Sequence, residues 1–492
     1  MTASSCSLRN EVDYQSVTLD SASIFAHSGR VQFVPDESLA PLLLPFNTVI
    51  QAQLYLPIDT LNQEEVEKLQ EDFQFKLNYY YALTDRHHAY TLDGEEINNL
   101  KVINDSYGSG EAIKIDDVLY DALKESYEFT IASEGKFNIF IGSINEMYED
   151  KLTQVNEDEG TTTLNKALSL SSNLTFSDDI VGVQNKASML PNSADEFEGI
   201  LTFDDANKAV TFNNYYKDGV LVDDLSITLS GMSKGYATEV ISDDIIAEYP
   251  NAALLFNSGS SSIKAIGKRP DQRDWHITYA NPVYGEATNK ADYNRAEVGF
   301  TYEGSFTLST SASYENYFYV YQPDGSFQKR SHIIDSKTGL SASYFDQVSV
   351  FVDDAGLADM YTTALMNTYS VSEAISLFGK LNQKYGFTDA DIILCVKEDG
   401  DSKFTYSIDD ISPLSSYKLP IVTLNDGTRY EGDYADVDAN YINNAVSKCQ
   451  HPFKMSYYMS SSIYDKSAII EDETIVSADK TFYAELKELA DD

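Results

Sequence analysis

Tryptophan occurs once and cysteine three times in 492 residues. The three cysteines, Cys6, Cys395 and Cys449, do not make a disulfide framework. Basic residues are scarce as well: 35 Lys and Arg stand against 78 Asp and Glu, a formal net charge of −43. A field of that sign repels phosphate backbones and argues against nucleic acid as a partner. No apolar run reaches the roughly 18 residues that a membrane-spanning helix needs. Histidine is down to six copies. What the chain does have is an ordinary 42% hydrophobic content, enough for a sizeable core, and 35 tyrosines. Should the ligand be a phosphate ester, the acidity creates a local problem. A metal ion and a few lysines would have to reverse the sign at the site.

The opening MTASSCSLRNE places small residues before Cys6 and a polar stretch after it. That pattern looks like the remnant of a bacterial lipoprotein signal without its charged and apolar regions; an ordinary polar N-terminus is the alternative. On the first reading the protein is extracytoplasmic and touches the membrane only through a lipid on Cys6. Residues 1–45 read as a tether. From Phe46, FNTVIQAQLYLP predicts a strand. Asn62 and Glu65 form a capping-box pattern ahead of a helix with Val66, Leu69 and Phe73 on one face. A second helix is expected from about Asp116, with Val118, Leu119 and Ala122 inward, ending at Gly135. Residues 151–227 are polar, with strand-like pieces GILTFDD and AVTFNN, and read as an insertion built on a sheet. A helix from Ser233 must end by Pro250. Strands dominate from Ala252 to Val352; helices are expected over Ala358–Asn367 and Val371–Tyr385, and DIILCVKEDG is a buried strand. Residues 416–492 form a polar, Tyr-rich C-terminal extension. Helices and strands come in blocks, which predicts an α+β fold.

Four segments carry chemistry. LSGMSKGYATE sets Gly231 and Gly235 around Lys234 at a helix start, where free N–H groups and a positive charge suit a phosphate. Taken alone it is also an ordinary strand-to-helix turn. LLFNSGSSSIKAIGK reads as strand, tight turn, strand. LSTSASYENYF supplies the hydroxyls of Thr310, Ser311 and Ser313 next to Tyr314, and SHIIDSKTG places His332 and Asp335 ahead of a turn. In LADMYTTALMN, Asp359, Thr362 and Thr363 fall at i, i+3 and i+4. Three hard oxygen donors of that kind suit Mg²⁺, which takes few protein ligands plus substrate phosphates. Asp as a first-turn helix residue is the structural alternative.

Together and in this order the four segments resemble the ApbE-type FAD:protein FMN transferase family. The resemblance rests on Gly-x-x-Lys-Gly-Tyr-Ala, Thr-Ser-x-x-Tyr, His-Ile-Ile-Asp-x-x-Thr-Gly and Ala-Asp-x-x-Thr-Thr-Ala, and covers about residues 46–415. It implies an α+β, T-fold-like domain of duplicated β-α-β sheets with flanking helices. It also implies metal ligands at Asp359, Thr362, Thr363 and the Gly231 carbonyl. FAD contacts carry over to Phe46, to Phe137, Asn138 and Ile139, and to Thr228, Lys234 and Ile334. The family's flavin-stacking Tyr falls near Tyr90 or His87. Departures are Thr228 for an acidic residue, Ser258-Gly259 for Gly-Gly, Ala312 for Gly, Asn138 for Asp and Ser336 for Pro.

The implied reaction splits FAD at its diphosphate and moves FMN to a Thr or Ser of an acceptor flavoprotein, releasing AMP. Displacement at phosphorus needs charge neutralisation and in-line positioning. Mg²⁺ and Lys234 would supply the charge, and Asp359 or His332 would take the hydroxyl proton. Hydrolysis of FAD to FMN and AMP, or flavin binding without catalysis on a surface lipoprotein, are the alternatives.

Overall fold

The computed structural model describes residues 14–21, 31–33, 45–156, 176–259, 261–270, 275–280, 297–302, 304–313, 316–321, 327–388, 390–397, 404–411, 414–417, 424–425, 429–430, 453–460 and 469–472. Nine strands form one sheet in which neighbours in space are neighbours in chain order. They are β1 (Tyr14–Asp20), β2 (Ile50–Pro57), β3 (Ala253–Ser258), β4 (Ser262–Ile266), β5 (Phe306–Ala312), β6 (Phe345–Phe351), β7 (Asp391–Lys397), β8 (Phe404–Ile411) and β9 (Leu414–Tyr417). Every pairing is antiparallel.

Five helices matter for the site: α1 (Gln63–Thr84), α2 (Asp117–Ala132), α3 (Ser233–Glu248), α4 (Ala355–Met366) and α5 (Val371–Tyr385). The chain leaves the sheet after β2 into α1 and returns through α3 to β3, the antiparallel neighbour of β2. It leaves again after β6 into α4 and α5 and returns as β7, the antiparallel neighbour of β6. The strand-helix-strand unit thus occurs twice, as the resemblance implied.

Local chemistry explains the elements. In β2 the residues Ile50, Ala52, Leu54 and Leu56 are buried while Gln51 is exposed, the period-two pattern of a sheet with one face on a core. In β6 every residue is buried, as befits a strand covered on both faces. The Asn62 side chain accepts from the Glu64 and Glu65 N–H groups, and Glu65 returns a carboxylate to the Asn62 N–H at 2.8 Å, completing the capping box of α1. Ser370 caps α5, which stops at Gly386 in the left-handed region. Nearly all of α4 is buried, so it lies inside the domain between α3 and the sheet.

Three stretches differ from expectation. The tether over residues 1–45 is interrupted by β1, which pairs along its whole length with β2 and buries Val17 and Leu19. Phe46 belongs to no strand: it sits in a tight turn at φ 59, ahead of β2. In the polar insertion the strands Leu201–Asp204 and Ala209–Phe212 pair as a sheet with Ala112–Lys114, but helices Gly142–Asn156 and Phe176–Met189 stand beside them. Val183, Ala187 and Leu190 are buried at helical spacing, a period diluted by the polar residues between them. In the C-terminal extension, Phe453–Ser460 pairs with Glu297–Tyr302 and with Ile469–Asp472. Cys6, Tyr314 and Cys449 lie outside the described residues. Among those described, no helix is long and apolar enough to cross a membrane.

Candidate active site

The site forms where α3 crosses α4. No side chain caps the start of α3; the Ser233 N–H bonds the Leu229 carbonyl at 3.0 Å, and the next turn's N–H groups look elsewhere. One of them, on Gly235, donates to Asp359 Oδ2 at 2.7 Å. Only glycine permits this approach. A Cβ at position 235 would stand 2.1 Å from the Ala355 carbonyl oxygen and 2.8 Å from the Asp359 carboxyl carbon. Ser262 of β4 and Ser309 of β5 are register partners, and both hydroxyls donate to Asp359 Oδ1, Ser262 at 2.5 Å. Asp359 is therefore a buried carboxylate with three protein donors. Burial pushes its pKa up, while Lys234, the two serines and the Gly235 N–H pull the other way.

Thr362 and Thr363 leave the same helix in different directions. The Thr362 hydroxyl donates to the Asp359 carbonyl at 2.9 Å and meets the Ser311 hydroxyl at 2.8 Å. Thr363 makes no side-chain hydrogen bond among the described residues, and its Oγ1 lies 3.3 Å from where a Cβ on Gly231 would be. The Phe137 ring lies 3.1 Å from the same point. Gly231, Phe137 and Thr363 thus share one wall.

His332 enters from the strand-to-turn segment after Phe327–Ser331. Its main-chain N–H donates to the Asn316 carbonyl at 3.0 Å, and Nδ1 lies 3.2 Å from the same oxygen. A carbonyl only accepts, so Nδ1 carries the hydrogen and Nε2 keeps a free lone pair. The ring is open to solvent on one side yet surrounded by protein on the others. Those surroundings, and then the charge of Lys234, hold its pKa below the usual imidazole range, so it is neutral at pH 7. Lys234 acts on both His332 and Asp359, and among the described residues no carboxylate is within ion-pair distance of it.

The remaining expected contacts sit behind this centre. Asn138 is committed to its own loop, donating to the Pro191 carbonyl at 2.9 Å and accepting from the Phe140 N–H at 2.9 Å. The Ile139 carbonyl accepts from the Thr228 N–H at 2.8 Å, and the Thr228 hydroxyl meets Ser230 at 3.1 Å. The Ile334 carbonyl accepts from Asn367 at 3.1 Å, and Asn367 also bonds the Lys136 carbonyl at 2.9 Å. These bonds fasten the loop after α2 and the His332 segment to the end of α4. The ring of Phe46 packs edge-on to Tyr81 at 5.4 Å. Of the two residues near the expected flavin-stacking position, Tyr90 is buried with its phenol on Asp85 at 2.6 Å, while His87 is exposed beside Glu149 at 3.1 Å.

Sequence reading passed over Ser262, Ser309 and the Gly235 N–H. Each lies inside a segment that was singled out, yet only the β4–β5 register and the helix crossing bring them onto one carboxylate. The donor set fits a hard dication: one buried carboxylate, two hydroxyls and a glycine backbone, with substrate oxygens to complete the shell. Among the described residues no cluster of three His, Cys, Asp or Glu offers a rival metal site.

Among solved structures the chain is similar to an ApbE protein from Thermotoga maritima, at 17% identity over 72% of this chain and 92% of that one, TM-score 0.49. It is also similar to the flavin transferase ApbE from Vibrio cholerae, at 16% identity over 82% and 100%, TM-score 0.49. A third is the flavinyl transferase ApbE of Pseudomonas stutzeri, at 16% identity over 80% and 94%, TM-score 0.49. Comparison with curated protein sequences returns no match. Residues 46–384 match the model of the ApbE family, and the chain, matched over more than half its length, belongs to that family.

Proposed function

We propose that the chain is a Mg²⁺-dependent FAD:protein FMN transferase that splits FAD and moves FMN to a Thr or Ser hydroxyl of an acceptor flavoprotein. Flavin transfer follows from the family; the metal, the substrate and the acceptor chemistry are our reading of the site. The observation that carries it is the buried Asp359 carboxylate with three donors, set beside a lysine that has no ion pair among the described residues and a neutral histidine.

Lys234, at the start of α3, meets the diphosphate, where a positive charge is wanted. Asp359, Thr362, Thr363 and the Gly231 carbonyl would hold Mg²⁺, which supplies Lewis-acid neutralisation of the diphosphate when bound. The acceptor oxygen forms a bond to the phosphorus on the riboflavin side. The bridging P–O bond breaks, and AMP leaves with its electron pair. His332 Nε2 takes the hydroxyl proton, since it is the accessible lone pair, while Asp359 already accepts three hydrogen bonds.

The test is incubation with FAD, Mg²⁺ and a Thr-containing acceptor peptide, followed by mass spectrometry. A gain of one FMN on the peptide supports transfer. Free FMN and AMP without labelled peptide would make the protein a hydrolase, and unaltered FAD would leave it a binder. The Cys6 pattern extends the proposal to a lipid-anchored, extracytoplasmic protein. On that reading the precursor partitions with membranes and Cys6→Ser releases it; a soluble wild-type precursor would end it.

A further inference from the structure

Three elements run side by side behind Asp359 and touch at two levels. At the first level, Gly235 of α3 and Ser262 of β4 hold the Asp359 carboxylate. One helical turn on from Gly235 stands Glu239, two strand positions on from Ser262 stands Lys264, and one turn back from Asp359 stands Ala355. Helical and strand periods keep each second residue on the face of the first. These three also meet. Glu239 Oε2 accepts from the Ala355 N–H at 2.7 Å, and Glu239 Oε1 accepts from Lys264 Nζ at 2.5 Å. Lys264 also reaches Asp243 at 3.2 Å.

The second level contains no residue assigned above to catalysis or binding, yet it fixes the same helix. The first N–H groups of α4 have no partner inside the helix. Glu239 takes that of Ala355, and Asp354 takes that of Leu357 at 2.7 Å. Both acceptors are acids, and the Lys264 side chain beside them is only 8% exposed. Burial works against the Lys264 charge, but Glu239 and Asp243 outweigh it and hold its pKa above the usual value. The ammonium is therefore the fixed counter-charge beside Glu239 where Glu239 caps α4. Shift α4 along its axis, and Asp359 moves off Gly235 and Ser262.

We propose that Lys264 and Glu239 are positioning residues, which set the axial position of α4 and thereby the place at which Asp359 presents its carboxylate. The inference rests on the reading of Asp359 as the charged centre of FAD cleavage.

The experiment compares wild type with Lys264→Met and Lys264→Arg, each alone and with Asp359→Asn, well below the melting temperature. With FAD, Mg²⁺ and acceptor peptide, Lys264→Met should lower kcat by about ten- to a hundredfold, as misplacement of a reacting group does. KM for FAD should stay within about twofold, because the diphosphate contacts of Lys234 are untouched. Lys264→Arg, still a cation, should keep most of the turnover. In the Asp359→Asn background Lys264→Met should subtract nothing further, since both act through one carboxylate. Hydrogen exchange read by mass spectrometry should quicken over residues 354–359 in Lys264→Met and stay unchanged in α1. Normal kcat with unchanged exchange would overturn the proposal. So would quickened exchange through α1 as well, since that is loss of general stability. A wild type without flavin transfer would sink the functional reading instead, and the exchange pattern would still decide whether Lys264 holds α4.

Discussion

Asp359, within α4, and Glu125, on α2 near the start of α4, are both acids that burial makes hard to ionise, and their surroundings differ in kind. Asp359 has three donors and the field of Lys234. Glu125 has no side-chain hydrogen bond among the described residues, and Asp354, Glu239, Glu128 and Asp121 add like charge to its burial. Its pKa is pushed up to about 8, so it holds its proton at neutral pH. Nearby, the Tyr361 and Tyr385 hydroxyls are buried without hydrogen-bond partners among the described residues. An acid given donors and a cation is arranged to carry charge. An acid denied both is a proton store, and its ionisation opposes folding. By that contrast we assign chemistry to Asp359 and none to Glu125, though both are perturbed.

The contrast can be sharpened by substitution. The largest expected effect outside Asp359 itself is at His332: His332→Ala should lower kcat by about a hundredfold or more with near-normal FAD binding, as loss of a general base does. The acid limb of the wild-type pH–rate profile should lie below the ordinary histidine range, because the neutral form persists there. Lys234→Ala should weaken FAD binding by about tenfold or more in calorimetry. It should also move that acid limb upward, since the cation helps to keep His332 neutral. Thr363→Val should raise the Mg²⁺ needed for half-maximal rate by only about two- to tenfold, as a neutral ligand matters less than a carboxylate.

Glu125→Gln should change stability and not rate. The folded pKa of about 8 exceeds the unfolded value of 4.5, so its contribution is fully present below the unfolded value and fades as pH rises through about 8. The melting temperature of the variant should therefore gain on wild type between about pH 5 and about pH 8.5. A fall in turnover in Glu125→Gln at unchanged stability would break the comparison, because it would place the unpaired acid in the chemistry.

Much of this was legible in local sequence. Asn62 with Glu65, Pro250 and the glycines around Lys234 announce helix ends through chemistry that acts within a few residues. The Asp359 and Thr363 spacing likewise survives translation to structure, because a helix fixes which neighbours share a face. What sequence did not show depends on distant pairing. β1 lies in a stretch that reads as tether because its seven residues, YQSVTLD, are mostly polar; Val17 and Leu19 become core only when β2 pairs beside them. Ser262 and Ser309 are 47 positions apart and become a pair only through strand register. Thr362 looked equivalent to Thr363, yet its hydroxyl is turned to Ser311 by the position of β5.

The central claim is that the Asp359 charge drives FAD cleavage and is not a structural feature of α4. AMP release from FAD, measured for wild type and Asp359→Asn at saturating Mg²⁺ beside their melting curves, tests it most directly. The account predicts a folded Asn variant slower by at least about a hundredfold, since loss of metal-borne charge costs several kcal/mol in the transition state and each 1.36 kcal/mol is tenfold. Near-normal AMP release from the Asn variant would contradict it and leave Asp359 as a buried acid held by serines.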